Sequence, residues 1–325
     1  MDGEANLDRR LTAVGADGYV SADDVIFLRG EIFPDGIRAR DELRSIFALG
    51  ERAPDGDPEW PEFFAEACAD FFLNEEKPSG YVTNGDFAAL KALVTRDGRN
   101  ASPLELKTLV RLLEKAVAAP NEMTDFVADQ IRAQFATSAG RAIGASDASL
   151  IRTFLYASGG SGTIGITREE AELLFDLHDA TAGLENSDEW RELFVKAIAA
   201  HLMQYIGYRP VAREEALRLN AWTTDHSVRP GRFLRAMFDG GFSAIASSYR
   251  RERRWSDKNG EDEIGAEIAQ MVTAREADWL ADRIARNGIV DDAEKALLAY
   301  MSTLGADLPP KLASMVEEVS PAATG

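Results

Sequence analysis

The chain is poor in the residues that usually announce chemistry. Of its 325 residues one is a cysteine, Cys68, so no intramolecular disulfide can form. Three are histidines, and no two stand four apart, the spacing by which one helix face offers two metal ligands. Long apolar runs are missing as well. The longest stretch free of Asp, Glu, Lys and Arg is 153–167, which is rich in Gly and Ser, whereas a membrane helix needs roughly 20 mostly apolar residues. Positive charge is also scarce, at 36 basic against 55 acidic residues. The net charge of −19 repels nucleic acid and anionic membrane from the chain as a whole. The opening Met1-Asp2-Gly3-Glu4 is acidic and has no apolar core of the kind a signal peptide carries, which points to a cytoplasmic protein.

Apolar residues make up 45% of the sequence and charged ones 28%, so the chain can bury a core and is not disordered by composition. Its length suggests about two domains. Cys68 lies in Phe63-Phe64-Ala65-Glu66-Ala67-Cys68-Ala69, near the apolar face of a helical pattern, and reads as a buried, inert thiol.

A short motif recurs. Gly18-Tyr19-Val20-Ser21-Ala22-Asp23-Asp24 returns as Gly80-Tyr81-Val82-Thr83-Asn84-Gly85-Asp86. Looser versions stand at Ser102–Glu105, Gly165–Glu170, Val272–Glu276 and Gly288–Glu294. Each combines a hydroxyl or Asp side chain with an acid three residues on. Such a pair caps a helix: the first side chain accepts from a free amide of the first turn, and the acid answers from the third helical position. The paired acids Asp23-Asp24, Glu169-Glu170 and Asp291-Asp292 are accounted for by these helix starts. The preceding glycine suits the positive φ that ends the helix before it. Apolar residues follow at helical spacing, as in Val25, Leu28 and Ile32, or Leu106, Leu109 and Leu113.

Turn glycines pair at 18 and 36, at 80 and 98, and at 140 and 162; in a fourth case Gln270 takes the first place and Gly288 the second. A third helix closes a unit, since Asp57-Pro58-Glu59-Trp60-Pro61-Glu62-Phe63-Phe64 has a counterpart in Ser187-Asp188-Glu189-Trp190-Arg191-Glu192-Leu193-Phe194. The expected fold is therefore all-α: about four three-helix units in tandem, at roughly 18–75, 80–135, 140–206 and 268–320. They group into two lobes, 1–137 and 138–325, the second holding a helical insertion at 208–267.

The Asp-Gly-x-Val/Ile-x-x-Asp/Glu turn, best seen in Asp17–Asp24 and in part at Asp35-Gly36-Ile37 and Asn287-Gly288-Ile289, resembles the tellurite-resistance TerB-like helical domains. That resemblance implies acidic helical domains associated with stress responses, membrane-proximal complexes and metal ions. The turns also resemble EF-hand loops, which place oxygen donors at positions 1, 3, 5 and 12 around a glycine at 6. With Gly18 sixth, those positions hold Ala13, Gly15, Asp17 and Asp24; with Gly80 sixth they hold Glu75, Lys77, Ser79 and Asp86. The carboxylates are too few for tight calcium binding.

The insertion reverses the charge. Residues 208–260 hold 11 basic and 6 acidic residues, a net of +5, which leaves −24 on the rest of the chain. Arg229, Arg232, Phe233, Arg235 and Phe238, followed by Tyr249, Arg250, Arg251, Arg253, Arg254 and Trp255, set arginines beside aromatic side chains. Such a stretch can pair with this protein's own acidic faces, or dock another protein or a second copy of the chain. An anionic membrane surface and a nucleic-acid backbone are further alternatives.

No catalytic, cofactor or metal motif emerges. Gly159-Gly160-Ser161-Gly162 lacks a phosphate-loop lysine and follows no strand. His178 and His201 fall on helices expected to pack together, which permits a His/Asp metal site, although isolated histidines usually end helices or fill cores. The sequence thus suggests a non-enzymatic interaction protein without a small-molecule cofactor, contacting a partner through the arginine-rich insertion. The alternatives are a metal- or cation-responsive helical module and an enzyme whose site carries no recognisable motif.

Overall fold

The computed structural model describes residues 2–136, 141–158, 166–205, 275–276, 278–284, 286, 290–303 and 314–315. They are overwhelmingly helical, as the sequence predicts. Among them no helix is long and apolar enough to cross a membrane. The chain divides into two compact units, Met1–Ala139 with Ser149–Gly162, and Gly140–Ala148 with Thr163–Gly325.

In the first unit α1 (Asp2–Ala13) precedes a two-residue strand, β1 (Tyr19–Val20), and α2 (Ala22–Phe27), which widens into a π turn at Leu28–Ile32. After α3 (Arg40–Arg52), strand β2 (Asp55–Gly56) leads into α4 (Glu59–Asp70). Then come α5 (Asn84–Val94), α6 (Pro103–Lys115) and α7 (Asn121–Ala136). The strands pair in parallel, Tyr19 with Asp55 and Val20 with Gly56, and an isolated bridge joins Tyr81 to Ala118. Two-residue strands leave no alternation in the sequence, so the expectation of helices alone missed them.

The capped starts form as expected. Ser21, Thr83 and Ser102 each accept from the amide three residues on, and Asp24, Asp86 and Glu105 return bonds to the cap amides. Glu42 does the same for Ala39, where no cap side chain exists. The turn glycines 18, 36, 80 and 98 have φ between 72° and 87°, a region costly for any residue with a Cβ. Gly140, Gly162 and Gly288 lie outside the described residues.

The core of this unit is aromatic, and α4 packs most extensively against α6. Trp60 and Phe64 are fully buried, with Phe64 edge-on to Phe47 at 5.3 Å and to Trp60 at 5.4 Å. Burying one such side chain stabilises by roughly 2–3 kcal/mol. The Trp60 indole N–H donates to the Ala53 carbonyl at 3.1 Å. Cys68 is buried as expected, and desolvation pushes its thiol pKa well above the ordinary value.

Helix α8 (Ala145–Ser158) begins in the second unit and continues in the first. The second unit proper contains α9 (Arg168–Ala180), α10 (Asp188–Tyr205), α11 (278–284) and α12 (Asp292–Thr303). Helix α10 packs on both α9 and α12. Thr167 with Glu170, and Asp291 with Glu294, make the expected capping pairs.

Contacts seen in the first unit recur here at matching positions. Phe175 meets Phe194 edge-on at 5.1 Å, as Phe47 meets Phe64, and Trp190 stands beside Phe194 as Trp60 stands beside Phe64. The Ser187 amide donates to Ile143 at 2.9 Å, as the Asp57 amide does to Val20 at 3.0 Å.

Candidate metal centre

The residues that sequence reasoning placed at a partner surface, Arg229 through Trp255, all lie outside the described residues, as do His226 and Thr273. The described histidines fall in the second unit. Helices α9 and α10 do pack together, and both histidines are buried, yet their surroundings differ.

His201, on α10, sits in a satisfied polar network. Its Nδ1 is 2.8 Å from the Ile166 carbonyl and its Nε2 is 3.1 Å from Glu276 Oε2. Arg168 donates to the same Glu276 oxygen at 2.7 Å, and its guanidinium lies 3.9 Å from the centre of the Trp279 ring. Each charge meets its opposite, so this cluster reads as a core tie between helices α9, α10 and α11.

His178, in the last turn of α9, is different. Its ring is stacked on Phe194 at 4.2 Å and 15°, and the residue is 2% exposed. Nε2 stands 2.9 Å from Asp291 Oδ2, while Nδ1 is buried without a partner. Glu294, one turn into α12, is fully buried. One of its oxygens, Oε2, accepts from the Asp291 amide, while Oε1 is buried without a partner. One donor atom from each of His178, Asp291 and Glu294 falls within 4.8 Å of the others.

The electrostatics follow from this burial. Desolvation pushes the Glu294 carboxyl up to about 7, against the opposing pull of the Asp291 amide and His178. Burial also works against charged Asp291, but the approach of His178 and the amides of Glu294 and Ala293 outweigh it and hold that carboxyl below its ordinary value. Asp179, beside His178 in the chain, is raised by burial, although Arg283 Nη2 stands 3.6 Å from its Oδ2. Among the described residues no Lys or Arg reaches ion-pair distance of Asp291 or Glu294. An imidazole and two carboxyls thus converge with no Lys or Arg beside them among the described residues, an arrangement costly when both carboxyls are charged.

One imidazole nitrogen and two carboxylate oxygens form a donor set suited to a divalent metal. Donors about 2.1 Å from a tetrahedral metal lie about 3.4 Å from one another, so a shift of an ångström or so brings these three to that spacing. The Asp291 side chain is 37% exposed, which gives an ion a route in and leaves room for water as a further ligand.

Sequence reasoning named His178 as a possible ligand but assigned Asp291 and Glu294 only to a helix start. The same two carboxyls cap α12 and face the imidazole. A signal for this was available in the sequence. Three residues before the Ser102 cap stands Arg99, whereas three residues before the Asp291 cap stands Gly288. No protein-family model matches this chain, and neither a curated protein nor a solved structure is similar to it.

Proposed function

We propose that this chain is a non-enzymatic, metal-responsive helical module that binds one divalent cation through His178, Asp291 and Glu294. The observation that carries this reading is the buried, unpartnered Glu294 Oε1 beside a buried imidazole whose Nδ1 has no partner and a second carboxylate. Such groups are rare in folded proteins unless something outside the chain satisfies them. Once ionised, the two carboxylates would together offset the charge of a divalent ion held between them. Among the described residues the carboxylate pair is enclosed by helices, with Asp291 part-exposed, a setting for holding an ion rather than turning over a substrate. The reading agrees with the resemblance of the turns to TerB-like domains but does not depend on it.

The test is calorimetric titration of chelator-stripped full-length protein with Zn²⁺, Mn²⁺ and Ca²⁺, repeated on His178→Gln and Glu294→Gln. One-to-one binding that both substitutions weaken at least tenfold is the expected result. Heats absent for all three ions, or unchanged in both variants, overturn the reading.

The charge pattern favours a second, compatible role. The +5 net charge of 208–260 against −24 elsewhere fits docking on an acidic partner protein or on a second copy of the chain. Deleting 225–258 is then expected to remove bound partners or shift the oligomeric state, and a deletion that changes neither removes this role.

A further inference from the structure

The first unit holds the same junction in a different chemical form. There Gly50 and Glu51 lie in the last turn of α3, and α6 begins at its Ser102 cap, with Glu105 at the third helical position. Glu105 is 2% exposed, as deeply placed as Glu294. Its charge is met inside the protein. Arg99 donates from Nη1 and Nη2 to the two carboxylate oxygens, each at 2.7 Å, and reaches Glu51 at 3.0 Å. These hydrogen bonds raise the Arg99 pKa above even its usual high value.

Matching Thr167 to Ala39 and Asp291 to Ser102 sets Glu294 against Glu105, Asp179 against Glu51 and His178 against Gly50. A Cβ at Gly50 would stand 2.8 Å from Phe64 Cε2, so only glycine lets that ring close on α3. At the matching place in the second unit the His178 ring lies on Phe194 instead. The second unit therefore has an imidazole where the first has no side chain. Counted back from the helix cap rather than from the turn glycines, Gly288, a position outside the described residues, stands three residues before Asp291 as Arg99 stands three before Ser102.

Resting on the reading that this site holds a divalent ion, we infer that the ion is a borderline transition metal, zinc before calcium. We further infer that it does in the second unit what the Arg99 guanidinium does in the first, tying the end of α9 to the start of α12. Calcium asks for six to eight oxygen donors, whereas zinc takes four ligands and accepts imidazole with carboxylate. The second unit is then metal-dependent in its stability and the first is not.

Hydrogen exchange read by mass spectrometry on the chelator-stripped full chain separates these claims. With free Zn²⁺ buffered at about 100 times its dissociation constant, amides of α9 and α12 that exchange by opening this junction slow by about a hundredfold. Amides of α3 and α6 are expected to stay unchanged, Ca²⁺ to have no effect, and both His178→Gln and Glu294→Gln to abolish the protection. Equal protection of both units, equal protection by Ca²⁺, or protection that persists in both variants overturns the inference. Stoichiometric zinc binding without protection of α9 and α12 overturns it while leaving the metal-binding function standing. No binding in the calorimeter removes both.

Discussion

Truncation of Arg99 is the sharpest probe of how the chain manages a buried cap carboxylate. Removing one partner of a buried ion pair typically costs about 3–5 kcal/mol, because the other charge is left without compensation. Glu105 is buried, but the Arg99 side chain is 31% exposed, so water follows into the gap and the expected cost of Arg99→Ala falls to about 2–3 kcal/mol. The contact with Glu51, itself 41% exposed, contributes less than about 1 kcal/mol. In a Glu105→Gln background the charge is gone, while the amide oxygen can still accept from the Ser102 N–H, which Glu105 meets at 2.7 Å. There the same truncation costs under about 1 kcal/mol, which gives a coupling of about 2 kcal/mol between the two sites. The assay is a double-mutant cycle by urea denaturation, with hydrogen exchange of 103–115 reporting the local opening. A cost of Arg99→Ala that is the same in both backgrounds refutes the view that the arginine is there to neutralise Glu105.

Three further outcomes follow from the same geometry. In metal-free protein the Glu294 carboxyl titrates near 7 rather than at its ordinary 4.5, so the unfolded chain releases that proton first and stability declines as pH rises through this window. The decline is about 1–2 kcal/mol in all after screening by solvent, and Glu294→Gln flattens it. Asp291, held below its ordinary value, acts with the opposite sign and only at lower pH; Asp179, His178 and Arg283 face the same junction. Urea midpoints between pH 5 and 8 that fall in parallel for both proteins contradict this assignment. Gly50→Ala drives a methyl against Phe64, which Phe47 and Trp60 hold in place, so a net loss of about 1–2 kcal/mol is expected despite the gain in helix propensity. A thermal midpoint at or above that of the parent protein would show that the ring yields. Cys68, fully buried, reacts with an aromatic disulfide reagent only at the rate of global opening, and rapid labelling of native protein counts against the packing of α4.

What the sequence made legible was whatever lies within a few residues. The caps at Ser21, Thr83, Ser102, Thr167 and Asp291 depend on hydrogen bonds between residues three apart, and they form where the pattern places them. The kinship of the Trp60 and Trp190 helices was visible as a string of matched residues, and the edge-on Phe64 and Phe194 contacts follow from it. The strand pair Tyr19–Val20 with Asp55–Gly56 escaped notice, because two residues cannot show alternation. The candidate metal centre was half legible. His178 stood out as a rare residue, but its meeting with Asp291 joins residues 113 apart through the packing of α9, α10 and α12, which no local pattern encodes. Glu294 was hidden for a different reason. Its capping role explained its presence, and the missing counterpart of Arg99 at Gly288 stands out only when the two caps are set side by side.

The central claim, that an imidazole and two carboxylates of the second unit hold a transition metal, is met most directly by X-ray absorption at the zinc edge of the one-to-one complex. The structure predicts a first shell of nitrogen and oxygen at about 2.0–2.1 Å, with outer-shell scattering from one imidazole ring that disappears in His178→Gln. A six-oxygen shell without imidazole scattering, or a spectrum unchanged by that substitution, would contradict the account.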